Sequence, residues 1–160
     1  MYAVRLWSVR HARGLNAFYR AFESLLVRLN PLFRGLGYER IERPVAAVEK
    51  AVKGMLFDCR MCGQCILHAT GMSCPMNCPK TLRNGPCGGV REDGNCEVKP
   101  DMRCVWVEAY HGSQRIPGGA AAMAGVQCAV DQRLQGRSSW LRVVRELNPE
   151  PAAKPVPGAK

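Results

Sequence analysis

The 160-residue chain is expected to fold as a small α-rich, largely irregular cysteine-rich domain with an N-terminal helical extension. Three observations lead there. Eight of the nine cysteines lie between residues 59 and 104. Apolar residues recur at helical spacing on both sides of that stretch. Inside it, prolines and glycines stand beside the cysteines, where they interrupt regular structure.

Leu15, Phe18, Tyr19, Phe22, Leu25, Leu26 and Leu29 repeat with the three-and-four spacing of one helix face, while Arg20, Glu23 and Arg28 fall off it. The pattern predicts an amphipathic helix ended by Pro31, packed on a core or on a partner. Gly35 and Gly37 predict a break. Pro44 then suits the first turn of a second helix, with Val45, Val48 and Val52 on one side and Gly54 at its close. After Trp106, a packing residue expected to shield the cysteines from water, Tyr110-His111-Gly112 predicts the start of a loop. The run IPGGAAAMAGVQC reads as a short helix or a mobile connector. Cys128, in that segment, is expected as a free, buried thiol. Ser138 or Ser139 is expected to cap a last helix, SWLRVVREL, with Trp140, Val143, Val144 and Leu147 on one face. The organisation is then an extension over residues 1–43, a cysteine-rich domain with its C-terminal helix over 44–147, and a disordered tail over 148–160, where four prolines and no apolar period occur.

The formal charge of +10 is uneven: +6 over residues 1–53, +1 over 54–106 and +3 over 107–160. A basic excess of this kind is compatible with nucleic acid or a membrane surface, but no recognition motif accompanies it and Glu23 interrupts the polar face of the first helix. No nucleic-acid partner is expected. No apolar run approaches the roughly 20 residues of a membrane span, and no signal-peptide pattern opens the chain. A soluble, cytoplasmic protein is expected.

The cysteines Cys59, Cys62, Cys65, Cys74, Cys78, Cys87, Cys96 and Cys104 follow the spacing C-x2-C-x2-C-x8-C-x3-C-x8-C-x8-C-x7-C. So many thiols in so short a stretch are ligands or half-cystines. A dense disulfide framework belongs mostly to small secreted chains. Zinc takes four thiolates, usually from two closely spaced pairs; Cys59/Cys62 and Cys74/Cys78 would supply such pairs, with four thiols left for a second ion. The triplet Cys59, Cys62, Cys65 also fits iron–sulfur chemistry, because three thiolates on one short loop reach three irons of a cuboidal cluster and a fourth ligand arrives from elsewhere. Pro75 follows Cys74, Pro79 follows Cys78 and Pro86 precedes Cys87, while Gly63, Gly85, Gly88 and Gly89 allow close backbone approach. Eight thiolates are the number that two 4Fe–4S clusters require. The reading is thus a metal-binding domain with ferredoxin-like cluster loops, ligand pairing open and zinc the alternative metal. Lys80 and Arg83 are candidates for electrostatic tuning of the clusters, and His68 for a surface or hydrogen-bonding role.

The strings MCGQC, TGMSCPMNCPKTLRNGPCGGV, GNCEV and CVW closely resemble the C-terminal module of methylenetetrahydrofolate reductases, which in two-subunit forms of that enzyme is a separate small subunit. The resemblance runs from about Val48 through Trp106, returns at LQGRSSWL, and takes in all eight clustered cysteines. It implies that the flavin (FAD or FMN) and the folate sit on a catalytic barrel subunit, which would be this chain's partner, with ferredoxin or another electron donor upstream. The chain itself is too short for a barrel of about 250 residues, and it lacks both G-x-G-x-x-G and G-x-x-x-x-G-K-[ST]. No catalytic residue is expected in it. The resemblance implies an iron–sulfur electron-transfer subunit serving interconversion of 5,10-methylene- and 5-methyl-tetrahydrofolate. A zinc-binding docking subunit and an independent electron carrier are the alternatives.

Overall fold

A computed structural model describes residues 2–85 and 87–149. Seven α-helices occur among them: α1 (Tyr2–Arg10), α2 (Ala12–Arg28), α3 (Asn30–Leu36), α4 (Tyr38–Phe57), α5 (Val105–Ser113), α6 (Gly119–Ala124) and α7 (Ser139–Leu147). Between α4 and α5 runs the cysteine-bearing stretch. Its regular features are one 3₁₀ turn at Pro75–Asn77 and two isolated antiparallel bridges, Val90 with Cys96 and Asn95 with Arg103. No strand forms among the described residues. The helix-rich, irregular class expected from sequence is what the fold has.

The N-terminal helices follow one another almost without a gap. His11 and Leu29 stand at the two junctions and bond to both sides: His11 N–H donates to Trp7 C=O and its own C=O accepts from Leu15 N–H, both at 3.0 Å, while Leu29 N–H donates to Leu25 C=O and its C=O accepts from Phe33 N–H, both at 3.1 Å. Pro31 does close α2, and its preset φ also opens α3. The break lies at Gly37, whose φ of +84° an L side chain resists; Gly35 is inside α3.

Helix α4 departs from expectation. It starts at Tyr38, so Pro44 lies within it instead of at its first turn. An interior proline removes one hydrogen bond and crowds the preceding turn. Here the first turns are held from outside. The Tyr38 hydroxyl donates to Asn30 Oδ1 at 2.6 Å, Ser138 N–H donates to Glu42 Oε1 at 2.6 Å, and Arg145 lies over the Tyr38 ring at 4.6 Å. Arg137 and Arg145 also pair with Glu39. The valine side of α4 is turned largely to solvent. Val48 is 58% and Val52 41% exposed, whereas Glu49, Lys53 and Phe57 form the buried face. The helix passes Gly54 and ends at Asp58 in the left-handed conformation.

Helix α1 packs on α4 and α5. Ser8 and Val9 are buried, and the Ser8 hydroxyl donates to the Leu56 carbonyl at 2.7 Å. The apolar stripe of α2 is divided: Leu15, Tyr19, Phe22, Leu26 and Leu29 turn inward, but Phe18 and Leu25 stand exposed. Phe22 meets Trp140 of α7 edge to face, with centroids 4.8 Å apart. Helix α7 begins as expected, Ser138 accepting from Leu141 N–H as its cap. Trp140, Leu141 and Val144 are buried; Leu147 is exposed. The loop expected at Tyr110 is instead the last turn of α5. Tyr110 faces solvent there, while Ala109, Gly112 and Ser113 pack inward. The Ala/Gly run forms α6. The expectations for Pro86 and for tail residues 150–160 lie outside the described residues.

One close approach holds the cysteine stretch against α5. Gly71, at φ +55°, crosses Gly112, and a Cβ on either would enter the other's backbone. Gly71→Ala should lower stability by on the order of 3 kcal/mol in chemical denaturation. Gly14→Ala, within α2 and facing open space, should raise it by roughly 0.5–1 kcal/mol.

Candidate metal centre

The first three cysteines sit on a loop built from left-handed residues. Asp58, Met61 and Gly63 have φ of 51°, 50° and 73°, which turns the backbone sharply through this loop. Met61 N–H donates to Cys59 Sγ at 3.3 Å. Gly63 is required twice over, for its φ and because a Cβ would collide with the Leu134 carbonyl. The loop is strapped from outside by residues 127–136. Gly136 N–H donates to Met61 C=O at 2.8 Å, the Gln135 side chain to Arg60 C=O at 2.8 Å, and Asp131 N–H to Gln64 Oε1 at 2.6 Å.

The turn Cys74-Pro75-Met76-Asn77-Cys78 is pinned under the end of α4, where Asn77 Nδ2 donates to the Phe57 carbonyl at 2.9 Å. Cys74 and Cys78 flank this 3₁₀ turn and depart to opposite sides. Cys74 joins Cys59, Cys62 and Cys65 around one recess. Cys78 packs instead with Cys87, Cys96 and Cys104, beside Met102, Val105, Trp106 and Ala109. The eight candidate ligands are therefore divided four and four, and the C-x3-C pair is split between the groups.

Burial governs the chemistry of the first group. It pushes the Cys59 thiol up to about 11, against the Met61 N–H and the charge of Lys53, which pull it down. It pushes Cys74 up to about 12, helped by the negative charge of Cys59 and Cys65. Thiols so placed ionise together only against positive charge. In the second group, Gly89 N–H donates to Cys87 Sγ at 3.4 Å, and Cys104 stands at the N-terminus of α5. Among the described residues, no three His, Cys, Asp or Glu side chains are drawn together around a single ion position. The cysteines fit a thiolate-bound metal group by donor type, number and burial.

Lys80 lies near Cys87, ion-paired with Glu97 and partly exposed. Arg83 donates to the carbonyls of Gln64 and Cys128, at 2.7 and 3.4 Å, so it ties the strap to the loop. His68 is exposed, in a shallow recess with Tyr19, Arg20 and Glu23. Trp106 is 5% exposed within the second group, and its indole Nε1 has no acceptor among the described residues. Cys128 is exposed, which corrects the buried thiol expected from sequence. Its segment is held by backbone and side-chain hydrogen bonds to Arg83 and Asn84 at the surface of the domain, so no side chain there is driven inward.

Sequence reasoning missed the floor of the first recess. Glu49, Lys53 and Ser139 line it with the four cysteines. Lys53 Nζ donates to Glu49 Oε1 and Ser139 Oγ, both at 2.8 Å. Glu49 also accepts from the Ser138 and Ser139 hydroxyls at 2.6 and 2.5 Å and from Trp140 N–H at 3.3 Å. An i, i+4 Glu–Lys pair reads in sequence as a solvated surface bridge. The signal that places it inside is its register with Phe57, one helix turn beyond Lys53.

Fold and site together define a helical, cysteine-rich domain with two four-thiol groups. A family model described as methylene-tetrahydrofolate reductase C terminal matches residues 38–133, and the chain belongs to that family. No curated protein and no solved structure matches it. No helix among the described residues is long and apolar enough to cross a membrane.

Lys53→Met would leave the Glu49 carboxylate buried without its cation, and should cost about 3–5 kcal/mol of stability. The double change Glu49→Gln/Lys53→Met should cost less than the single one, because no unpaired charge remains; paired denaturation curves check the order.

Proposed function

We propose that the chain is the iron–sulfur electron-transfer subunit of a methylenetetrahydrofolate reductase complex. It would hold one 4Fe–4S cluster on Cys59, Cys62, Cys65 and Cys74 and a second on Cys78, Cys87, Cys96 and Cys104. The observation that carries this reading is the four-and-four division of buried and half-buried cysteines in a chain of the methylene-tetrahydrofolate reductase C-terminal family. When bound, such clusters supply one-electron transfer.

The chain's own residues do the rest. The thiolates anchor the metal. Met61 and Gly89 N–H groups, donating to Cys59 and Cys87 sulfur, stabilise thiolate charge. Met102 and Trp106, 3% and 5% exposed, keep water from the second group. The partner is a catalytic barrel subunit carrying FAD or FMN, which performs the interconversion of 5,10-methylene- and 5-methyl-tetrahydrofolate. Ferredoxin or a similar one-electron protein is the donor, and the basic surface suits an acidic one. The chain has no active site of its own in this reading, and its setting is the cytoplasm.

Metal and acid-labile sulfide analysis of protein purified without oxygen tests the proposal. About eight irons and eight sulfides per chain, with a brown absorbance bleached by dithionite, are expected. Zinc without sulfide would replace the reading by a structural docking subunit. Cys74→Ser and Cys78→Ser, four residues apart, should each disturb a different cluster, which electron paramagnetic resonance of the reduced protein distinguishes. Co-purification with a barrel subunit separates a complex from an independent carrier.

A further inference from the structure

The two cysteine groups differ in the charge placed beside them. At the first, the Lys53 side chain is 3% and its partner Glu49 2% exposed. The ammonium lies 5.7 Å from the Tyr19 ring centroid and 5.4 Å from that of Trp140, in a setting where water screens little. The two ends of the pair are not equivalent. Glu49 is turned toward the start of α7, where two serine hydroxyls and the Trp140 N–H take up its charge and the helix dipole is positive. Lys53 is the pole that acts on the sulfurs: it lines the recess with the four cysteines, and its charge pulls the Cys59 thiol down. At the second group a nearby cation, Lys80, is 37% exposed and its partner Glu97 46%, and Arg103, beside Cys104, is likewise exposed, at 41%. Solvent and salt weaken the field of such a pair.

A buried ion pair is a poor source of stability compared with well-packed apolar residues, so its presence under the first recess calls for another role. Adding one electron to a thiolate-bound cluster adds one negative charge and neither makes nor breaks a bond. A fixed cation at close range favours that reduced form, and net local charge is among the properties that set cluster potentials.

We propose that Lys53 makes the centre on Cys59, Cys62, Cys65 and Cys74 the easier of the two to reduce, so that electrons entering the chain come to rest there before leaving it. Glu49, Ser138 and Ser139 are positioning residues that hold the ammonium in place. The inference rests on the two-cluster reading above.

The test is a redox titration of the anaerobically purified chain, with dithionite as the one-electron reductant and electron paramagnetic resonance resolving the two centres. Wild type is compared with Lys53→Arg, Glu49→Gln and Glu49→Gln/Lys53→Met, iron and sulfide being measured on each sample. The double variant should have a lower midpoint than Glu49→Gln at one centre only, the one whose signal Cys59→Ser abolishes. Lys53→Arg, which keeps the charge, should stay near wild type, and Glu49→Gln should move the midpoint up. Equal midpoints in Glu49→Gln and the double variant, at wild-type iron content, overturn the role of Lys53 and leave the two-cluster reading intact. If the double variant does not load iron, Glu49→Gln against wild type decides, and no upward shift overturns the inference. Wild type free of iron and sulfide overturns the two-cluster reading and this inference with it.

Discussion

The pair of Glu49 and Lys53 is the interaction on which the rest of the structure turns. Both side chains are buried, and a buried charge is tolerated only when its hydrogen bonds are nearly complete. The partners come from the far end of the chain, Ser138, Ser139 and Trp140. Helices α4 and α7 are therefore locked in one register, because sliding either by a turn would strand a carboxylate or an ammonium. Apolar contacts alone would permit several registers at similar energy; the hydrogen-bonded pair permits one.

From that clamp the cysteine stretch inherits its shape. It has almost no ladder of its own, so its backbone groups are satisfied locally and by neighbours. Asn77 reaches the end of α4, Ser73 donates to the Val105 carbonyl of α5, and the strap before α7 bonds back to Met61 and Gln64. Because α7 follows the strap directly, the same register that pairs Glu49 with the serines also sets the strap over the first cysteine loop. The short turn between Cys74 and Cys78, pinned at Asn77, then assigns its two ends to different groups.

Much of this was legible in the residues. Cysteine chemistry dominates any other reading of residues 59–104, and the family resemblance carried by CPMNCPK and RNGPCGG agrees with the family match. Ser138 capped α7 because a hydroxyl before an apolar helix run has a local job to do. What the residues did not indicate was which side of α4 is buried. In α4 Val48 and Val52 face outward and a Glu–Lys pair faces inward, since the face is chosen by what waits on the other side. Pro44 was misplaced for a related reason: contacts from Asn30, Ser138 and Arg145 hold the turns before it, and the last two come from the far end of the chain. Tyr110 looked like a loop because Gly112 follows it, yet that glycine is there to let Gly71 pass.

By itself, the sequence determined the concentration of thiols in one stretch, the helical character of both flanks and the family, since these depend on residue type and on spacing within a few turns. Tertiary structure alone decided which cysteines share a group, which face of α4 is buried, and that Cys128 lies at the surface. Those features depend on distances between segments far apart along the chain, and spacing carries no information about them until the buried ion pair brings α4 and α7 together.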